Sequence, residues 1–210
     1  MSFGPWGDVG AAVAGYLIGS VSPAYLLVRL RSGKDLRRLG TGHLGARNVY
    51  RALGLGMGAL CLLCDLVKGA AAVGVGLLLG RPVYGPLAGC LGAALGHNYS
   101  LFLQFSGGKG LAVTVAGLLI VAPSGLLWST LCGLGLALAT GSAYLGAVLA
   151  AGVLPYFLGR ELGFTPGWWL GVPLALVIIS RHLKDLAALA SGKGKTWWTP
   201  GETGKGSAEN

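Results

Sequence analysis

A polytopic bundle of transmembrane α-helices is the all-α fold class that this sequence predicts. Of its 210 residues, 53% are hydrophobic and only 11% charged. The mean hydropathy of +0.68 exceeds what the core of a soluble domain of this size requires. Apolar runs with almost no interior charge cover residues 9–30, 56–79, 83–103, 111–140, 142–158 and 167–180. About 20 apolar residues cross the hydrocarbon layer as a helix, so each run is a candidate span.

The first run has no basic flank before it and no small-residue cleavage site after it, so it reads as a retained span rather than a signal peptide. Arg29, Arg31, Lys34, Arg37, Arg38, Arg47 and Arg51 follow it, whereas the stretch before it carries Asp8 and no Lys or Arg. The positive-inside rule then puts the N-terminus outside and this loop in the cytoplasm. Arg181, Lys184, Lys193 and Lys195 place the C-terminus inside too, which requires an odd number of crossings. Undivided, the run 111–140 would be roughly 45 Å long at ~1.5 Å per residue, against a core of about 30 Å. Pro123-Ser124-Gly125 supplies an external turn that divides it, giving seven crossings. An undivided run with another segment at the interface would give five. Residues 1–190 are expected to form one membrane domain and 191–210 a polar, mobile cytoplasmic tail.

The net charge of +9 and pI near 9.7 would suggest nucleic acid in a soluble protein. Here the basic residues sit between apolar runs and report topology, so no nucleic-acid partner is expected. The 39 glycines show no fixed period. Gly15/Gly19, Gly76/Gly80, Gly92/Gly96 and Gly167/Gly171 have the spacing that lets helix backbones approach closely in lipid. Trp168 and Trp169 predict an outer interfacial belt, and Trp197 and Trp198 an inner one. Cys61 and Cys64 lie among leucines in a predicted helix and read as small hydrophobes, not a redox or metal pair. Asp65 and Lys68 share a helix face inside a span and predict a structural ion pair.

Three polar segments join glycines to groups that bind anions. In the first, Gly40, Gly42 and Gly45 allow backbone amides to converge in a nest, with Thr41, His43, Arg47, Asn48 and Arg51 around it. Arg51 can clamp a phosphate with two parallel hydrogen bonds. The second runs from His97 to Gly107-Gly108-Lys109-Gly110. A Walker A loop is excluded, because Leu103 stands where its first glycine would be and Gly110 where its Ser or Thr would be. Lys109 nevertheless supplies charge at the N-terminus of the next predicted helix, itself an anion site. The third is Arg181-His182-Leu183-Lys184-Asp185, where His182 has a pKa suited to proton transfer. The plain alternatives are a basic loop, a flexible turn and a stop-transfer flank.

In order and flanks these segments resemble the bacterial acyl-phosphate-dependent glycerol-3-phosphate acyltransferases, the PlsY family. The resemblance also rests on Gly19-Ser20-Val21-Ser22-Pro23-Ala24-Tyr25-Leu26, on Tyr50-Arg51-Ala52-Leu53-Gly54, and on Asp65-Leu66-Val67-Lys68-Gly69. It implies a seven-helix inner-membrane enzyme with its active site at the cytoplasmic face. It also implies transfer of a fatty acyl group from acyl phosphate to glycerol 3-phosphate, giving lysophosphatidic acid and phosphate. Matched by position, the resemblance assigns the family's first-motif serine to Thr41, its arginine to Arg51, its glycine loop to residues 107–110 and its histidine to His182. Asn48, His97 and Asp185 fall with the phosphate-binding positions. The chain departs from the pattern at His43, Arg47, Asp185 and Gly194. Asp185 replaces a donor with a negative charge, for which Arg47 is the expected compensation.

On this reading Gly107, Gly108, Lys109 and Gly110 hold one phosphate, and Gly40, Thr41, Gly42, Arg51 and Arg47 the other. The acyl tail lies between helices. Acyl phosphate is already activated, so no covalent enzyme intermediate is needed. Either His182 or a substrate phosphate oxygen takes the glycerol proton. His43, His97 and His182 stand singly and no carboxylate pair occurs, so neither metal nor cofactor is expected. The protein is expected to be monomeric in the lipid. Two rivals are a paralogue with another acceptor or no activity, and a transporter of an anionic metabolite.

Overall fold

The computed structural model describes residues 4–192, so Trp197, Trp198, Gly194 and most of the expected tail lie outside the described residues. Among those residues it contains ten α-helices: α1 Gly4–Ser20, α2 Pro23–Ser32, α3 Ala46–Leu53, α4 Leu55–Leu79, α5 Tyr84–Asn98, α6 Leu111–Val121, α7 Pro123–Thr140, α8 Ala143–Leu162, α9 Phe164–Ser180 and α10 Leu183–Ala190. Four stretches are long and apolar enough to cross a membrane: Gly4–Ser32 taken together, Leu55–Leu79, Pro123–Thr140 and Ala143–Leu162. Leu111–Val121 and Phe164–Ser180 are shorter apolar helices. Large hydrophobic side chains such as Val13, Leu63, Leu78, Leu131 and Leu176 face outward, as a lipid solvent demands.

The expected division of residues 111–140 is present, because Pro123 starts α7 directly after Ala122. A carboxylate fixes the new helix end. Glu161, near the end of α8, accepts the amides of Ser124 at 3.3 Å and Gly125 at 2.6 Å, satisfying donors that every helix N-terminus leaves open.

All eight paired glycines lie where helix backbones touch. A Cβ on Gly15 would stand 2.3 Å from the Gly89 carbonyl oxygen, and one on Gly76 2.3 Å from that of Gly85. These contacts run α1 and α5 side by side in the same direction, with α4 antiparallel to both. In the same way α7 meets α8 at Gly133 and Gly146, and α8 meets α9 at Gly159 and Gly167, each pair antiparallel. Cys61 and Cys90 are buried free thiols, consistent with packing roles.

The break between α1 and α2 shows why Asp65 and Lys68 sit inside a span. Pro23 has no N–H to give the Gly19 carbonyl, four residues back. Lys68 Nζ donates to Gly19 O at 3.1 Å and Val21 O at 2.9 Å instead. Asp65 Oδ1 lies 2.9 Å from the same ammonium and 3.4 Å from His97 Nδ1. Ser100 Oγ closes the next freed carbonyl, Ser20 O, at 2.6 Å.

Candidate active site

The helix ends at Ser20, Asn98, Thr140 and Ser180, and the starts of α4, α6 and α8, gather at one end of the bundle. The three polar segments meet there. The first is shaped by its glycines: Gly40 and Gly42 have φ of 56° and 70°, conformations that only glycine adopts freely. Asn48 stitches the turn from within. Its Oδ1 accepts the Thr41 amide at 3.3 Å, and its Nδ2 donates to Leu39 O at 3.0 Å and His43 O at 3.1 Å. Both amide protons of Asn48 are therefore occupied inside the loop, and the side chain shapes the turn that borders the anion site.

Arg51, on α3, lines a pocket of about 300 Å³ together with Ser32, Lys34, Leu39, Gly40 and Asn48. Two cations border this pocket and no carboxylate does, which suits a phosphate. Thr41 and Arg47 are exposed beside it. Sequence reasoning took Lys34 only as a topology charge.

The glycine loop is packed differently from the expectation. Gly107 and Gly108 are buried, and the Gly108 amide donates to His97 O at 3.0 Å. A Cβ on Gly108 would stand 2.1 Å from His97 Nε2. Gly108 thus makes room for a neighbour rather than opening its amide to a ligand. His97 sits behind the loop, with its Nδ1 3.4 Å from Asp65 Oδ1. Gly110 starts α6 with φ of 74° and offers no side-chain cap. The amides at this helix end have no side-chain cap, and with Lys109 before them the arrangement suits an anion.

Arg181 holds the loop from the other side. Its Nε donates to Gly108 O and its Nη2 to Gly107 O, both at 2.9 Å, while its guanidinium lies 5.3 Å from the centre of the Tyr99 ring. The sequence signal was a single arginine that reads equally well as a membrane flank. Lys109 rests 4.5 Å from the centre of the Tyr144 ring and pairs with Asp185 Oδ2 at 2.5 Å. The charge that offsets Asp185 is therefore Lys109, and the expected compensation by the exposed Arg47 is corrected.

His182 is almost fully buried, 1% exposed, and its Nδ1 lies 2.9 Å from Ile178 O. A carbonyl can only accept, so Nδ1 carries the proton and Nε2 keeps its lone pair. Burial holds the His182 pKa below the usual value, and the positive Lys109 adds to that. His43 is lowered too, first by burial and then by Lys109, with Asp185, Arg181 and His182 also within electrostatic reach. Lys109, Asp185, Arg181, His182 and His43 thus form one cluster, with the Arg51 pocket beside it. Leu44 N–H, donating to Gly107 O at 3.4 Å, joins the two.

A groove of about 340 Å³ runs between α6, α7 and α8, lined by Leu111, Thr114, Gly133, Ala143, Ala147 and Leu154 among others. Leu111 follows Lys109-Gly110, and Ala143 precedes Tyr144. The apolar groove therefore begins where the charged cluster ends.

The family model described as glycerol-3-phosphate acyltransferase matches residues 9–192. The chain belongs to the glycerol-3-phosphate acyltransferase family. Glycerol-3-phosphate acyltransferase 2 of Moorella thermoacetica is 42% identical over 148 residues, 70% of this chain and 76% of that protein. The glycerol-3-phosphate acyltransferase of Rhodopseudomonas palustris strain BisB5 is 38% identical over 197 residues, 88% of this chain and 93% of its own length. The crystal structure of PlsY (YgiH), an integral membrane glycerol 3-phosphate acyltransferase, in its glycerol 3-phosphate form matches with a TM-score of 0.78 and 30% identity, covering 91% of this chain and 96% of that one. Family membership and fold agree, and the chain is an all-α, multi-pass membrane protein.

Proposed function

We propose that this protein transfers a fatty acyl group from acyl phosphate to glycerol 3-phosphate, releasing lysophosphatidic acid and phosphate. The carrying observation is the shared edge between the charged cluster and the apolar groove. A ligand with a phosphate at Lys109 can pass its chain along Leu111 and Ala143 into the bundle. The Arg51 pocket stands ready for the second phosphate.

Holding the glycerol hydroxyl within about 3–3.5 Å of the acyl carbonyl lowers the barrier by proximity. The Lys109 ammonium and the α6 N-terminus stabilise charge that moves onto the carbonyl oxygen and then the leaving phosphate. Nε2 of neutral His182 takes the hydroxyl proton. Thr41 supplies a hydroxyl to the second phosphate. The topology that fits is seven crossings with the N-terminus outside, the site at the cytoplasmic face of the bacterial inner membrane, residues 1–190 as one domain, and a monomeric enzyme.

The test uses purified protein with long-chain acyl phosphate and measures phosphate release with and without glycerol 3-phosphate. Acceptor-dependent release is expected, and it is lost in Lys109→Ala and Arg51→Ala. Release only with another polar alcohol would sink the acceptor assignment. Accumulation of glycerol 3-phosphate in sealed vesicles without acylation would point to transport.

A further inference from the structure

Asp185 presents a carboxylate at a site otherwise built for an anion. Its Oδ2 is paired with Lys109, and no described residue donates a hydrogen bond to its Oδ1. Its side chain keeps 18% of its exposure and that of Lys109 20%, so the pair lies at the rim rather than being sealed off. The charged and titratable groups around it are Lys109 from the α5–α6 loop, Tyr144 from α8, Arg181 and His182 from the end of α9, and His43 from the loop before α3, with Lys184 beside it on α10. Phosphate oxygens without protons can only accept hydrogen bonds, and facing a carboxylate they repel it. A phosphate oxygen that bears a proton donates to the carboxylate instead.

We propose that Asp185 makes the Lys109 site selective for a phosphate group that carries a proton. This inference rests on the reading of Lys109 as a phosphate site. The ligand bridges the ion pair: unprotonated oxygens take N–H donors from Lys109 and the α6 N-terminus, while its P–OH donates to Asp185 Oδ1. Hydrogen phosphate and singly protonated phosphate esters satisfy both partners, and sulfate, of the same shape but without a proton at neutral pH, satisfies only one. Phosphate monoesters lose that proton with a pKa of roughly 6, so the preference extends to the protonation state of the substrates.

The test compares inorganic phosphate with sulfate as inhibitors of acyl transfer, at matched ionic strength, in the full-length wild-type enzyme and in Asp185→Asn, Asp185→Glu and Lys109→Gln. A hydrogen bond to a charged partner corresponds to a preference of at least about 10-fold, so wild type and Asp185→Glu are expected to bind phosphate that much more tightly than sulfate. Asp185→Asn, isosteric and relieved of the charge, should lose the preference chiefly because sulfate inhibits better. Where turnover is too low, the same two anions are compared by the thermal shift each produces. Wild type that treats the anions alike, or Asp185→Asn that keeps the full preference, overturns the inference. Inhibition by both anions unchanged in Lys109→Gln would instead refute the phosphate site itself.

Discussion

Replacing Arg181 with Met tests whether the glycine loop is held by its carbonyls. The wild-type guanidinium makes two hydrogen bonds of 2.9 Å to Gly107 O and Gly108 O and rests on Tyr99. Hydrogen bonds with one charged partner are worth about 1.5–3 kcal/mol each. Arg181 is only half-buried, so the lower figure applies, and the pair contributes about 3 kcal/mol. If that energy holds Lys109 in register with its substrate, its loss costs roughly 100-fold in kcat/KM. Arg181 holds the loop and the end of α5 rather than the glycine contacts that build the bundle, so the melting temperature of detergent-solubilised protein should fall by roughly 10 °C at most and the fold should persist. Because the defect is one of positioning, kcat should fall more than KM rises, and Arg181→Lys, which retains one donor direction, should recover part of the rate. Phosphate release across a substrate series separates these quantities. Wild-type kcat and KM in Arg181→Met would show that the loop keeps its shape unaided.

Other outcomes follow from the same structure. Lys68→Met leaves Asp65 and two helix-end carbonyls without their cation; breaking a buried pair costs about 3–5 kcal/mol, so thermal melting should drop sharply, and the added change Asp65→Asn should restore part of it. His182 has its pKa lowered by burial, so the neutral ring persists below its ordinary value of about 6.5. Its contribution to stability is complete above that value and is lost as pH falls through the depressed one; the acid limb of the activity profile should show the same depressed value and should vanish in His182→Gln. Gly108→Ala places a Cβ against His97, so the loss of activity should shrink in the Gly108→Ala, His97→Ala double variant, a coupling that an open phosphate loop would not show. Ala147→Phe narrows the apolar groove; each displaced methylene should weaken long-chain acyl phosphate by ~0.8 kcal/mol, about 4-fold, while short chains react as before.

Local features of the fold were legible because their physics is local. Pro123 ends one helix wherever it stands, and glycine pairs four apart form a smooth face without knowledge of the partner. Distant partnerships left no such mark. Lys68 and Gly19 are 49 residues apart, and nothing around either residue says that Pro23 would leave a carbonyl open for that lysine. Arg181 and Gly108 are 73 apart, so Arg181 reads as one more basic residue at a span end. Asn48 and His97 carry the residue types of an anion site and stand at its border, yet their hydrogen bonds and contacts turn inward. Residue type identified the neighbourhood, and only the chain path showed which of these side chains are held within the wall.

The two Lys–Asp pairs show how burial, rather than residue identity, divides structure from chemistry here. An ammonium has three donors. Lys68 directs them at Gly19 O, Val21 O and Asp65 with its side chain 8% exposed, so no hydrogen bond is left for a ligand and opening the pair would strand charge in a dry bundle. Lys109 has one carboxylate partner and an aromatic face, with its side chain 20% exposed. Water screens that pair, which lowers both its strength and the cost of opening it to admit a phosphate between its partners. The same two side chains therefore lock helices together in the interior and, at the rim of the groove, leave a partly exposed cation that the proposed phosphate can reach.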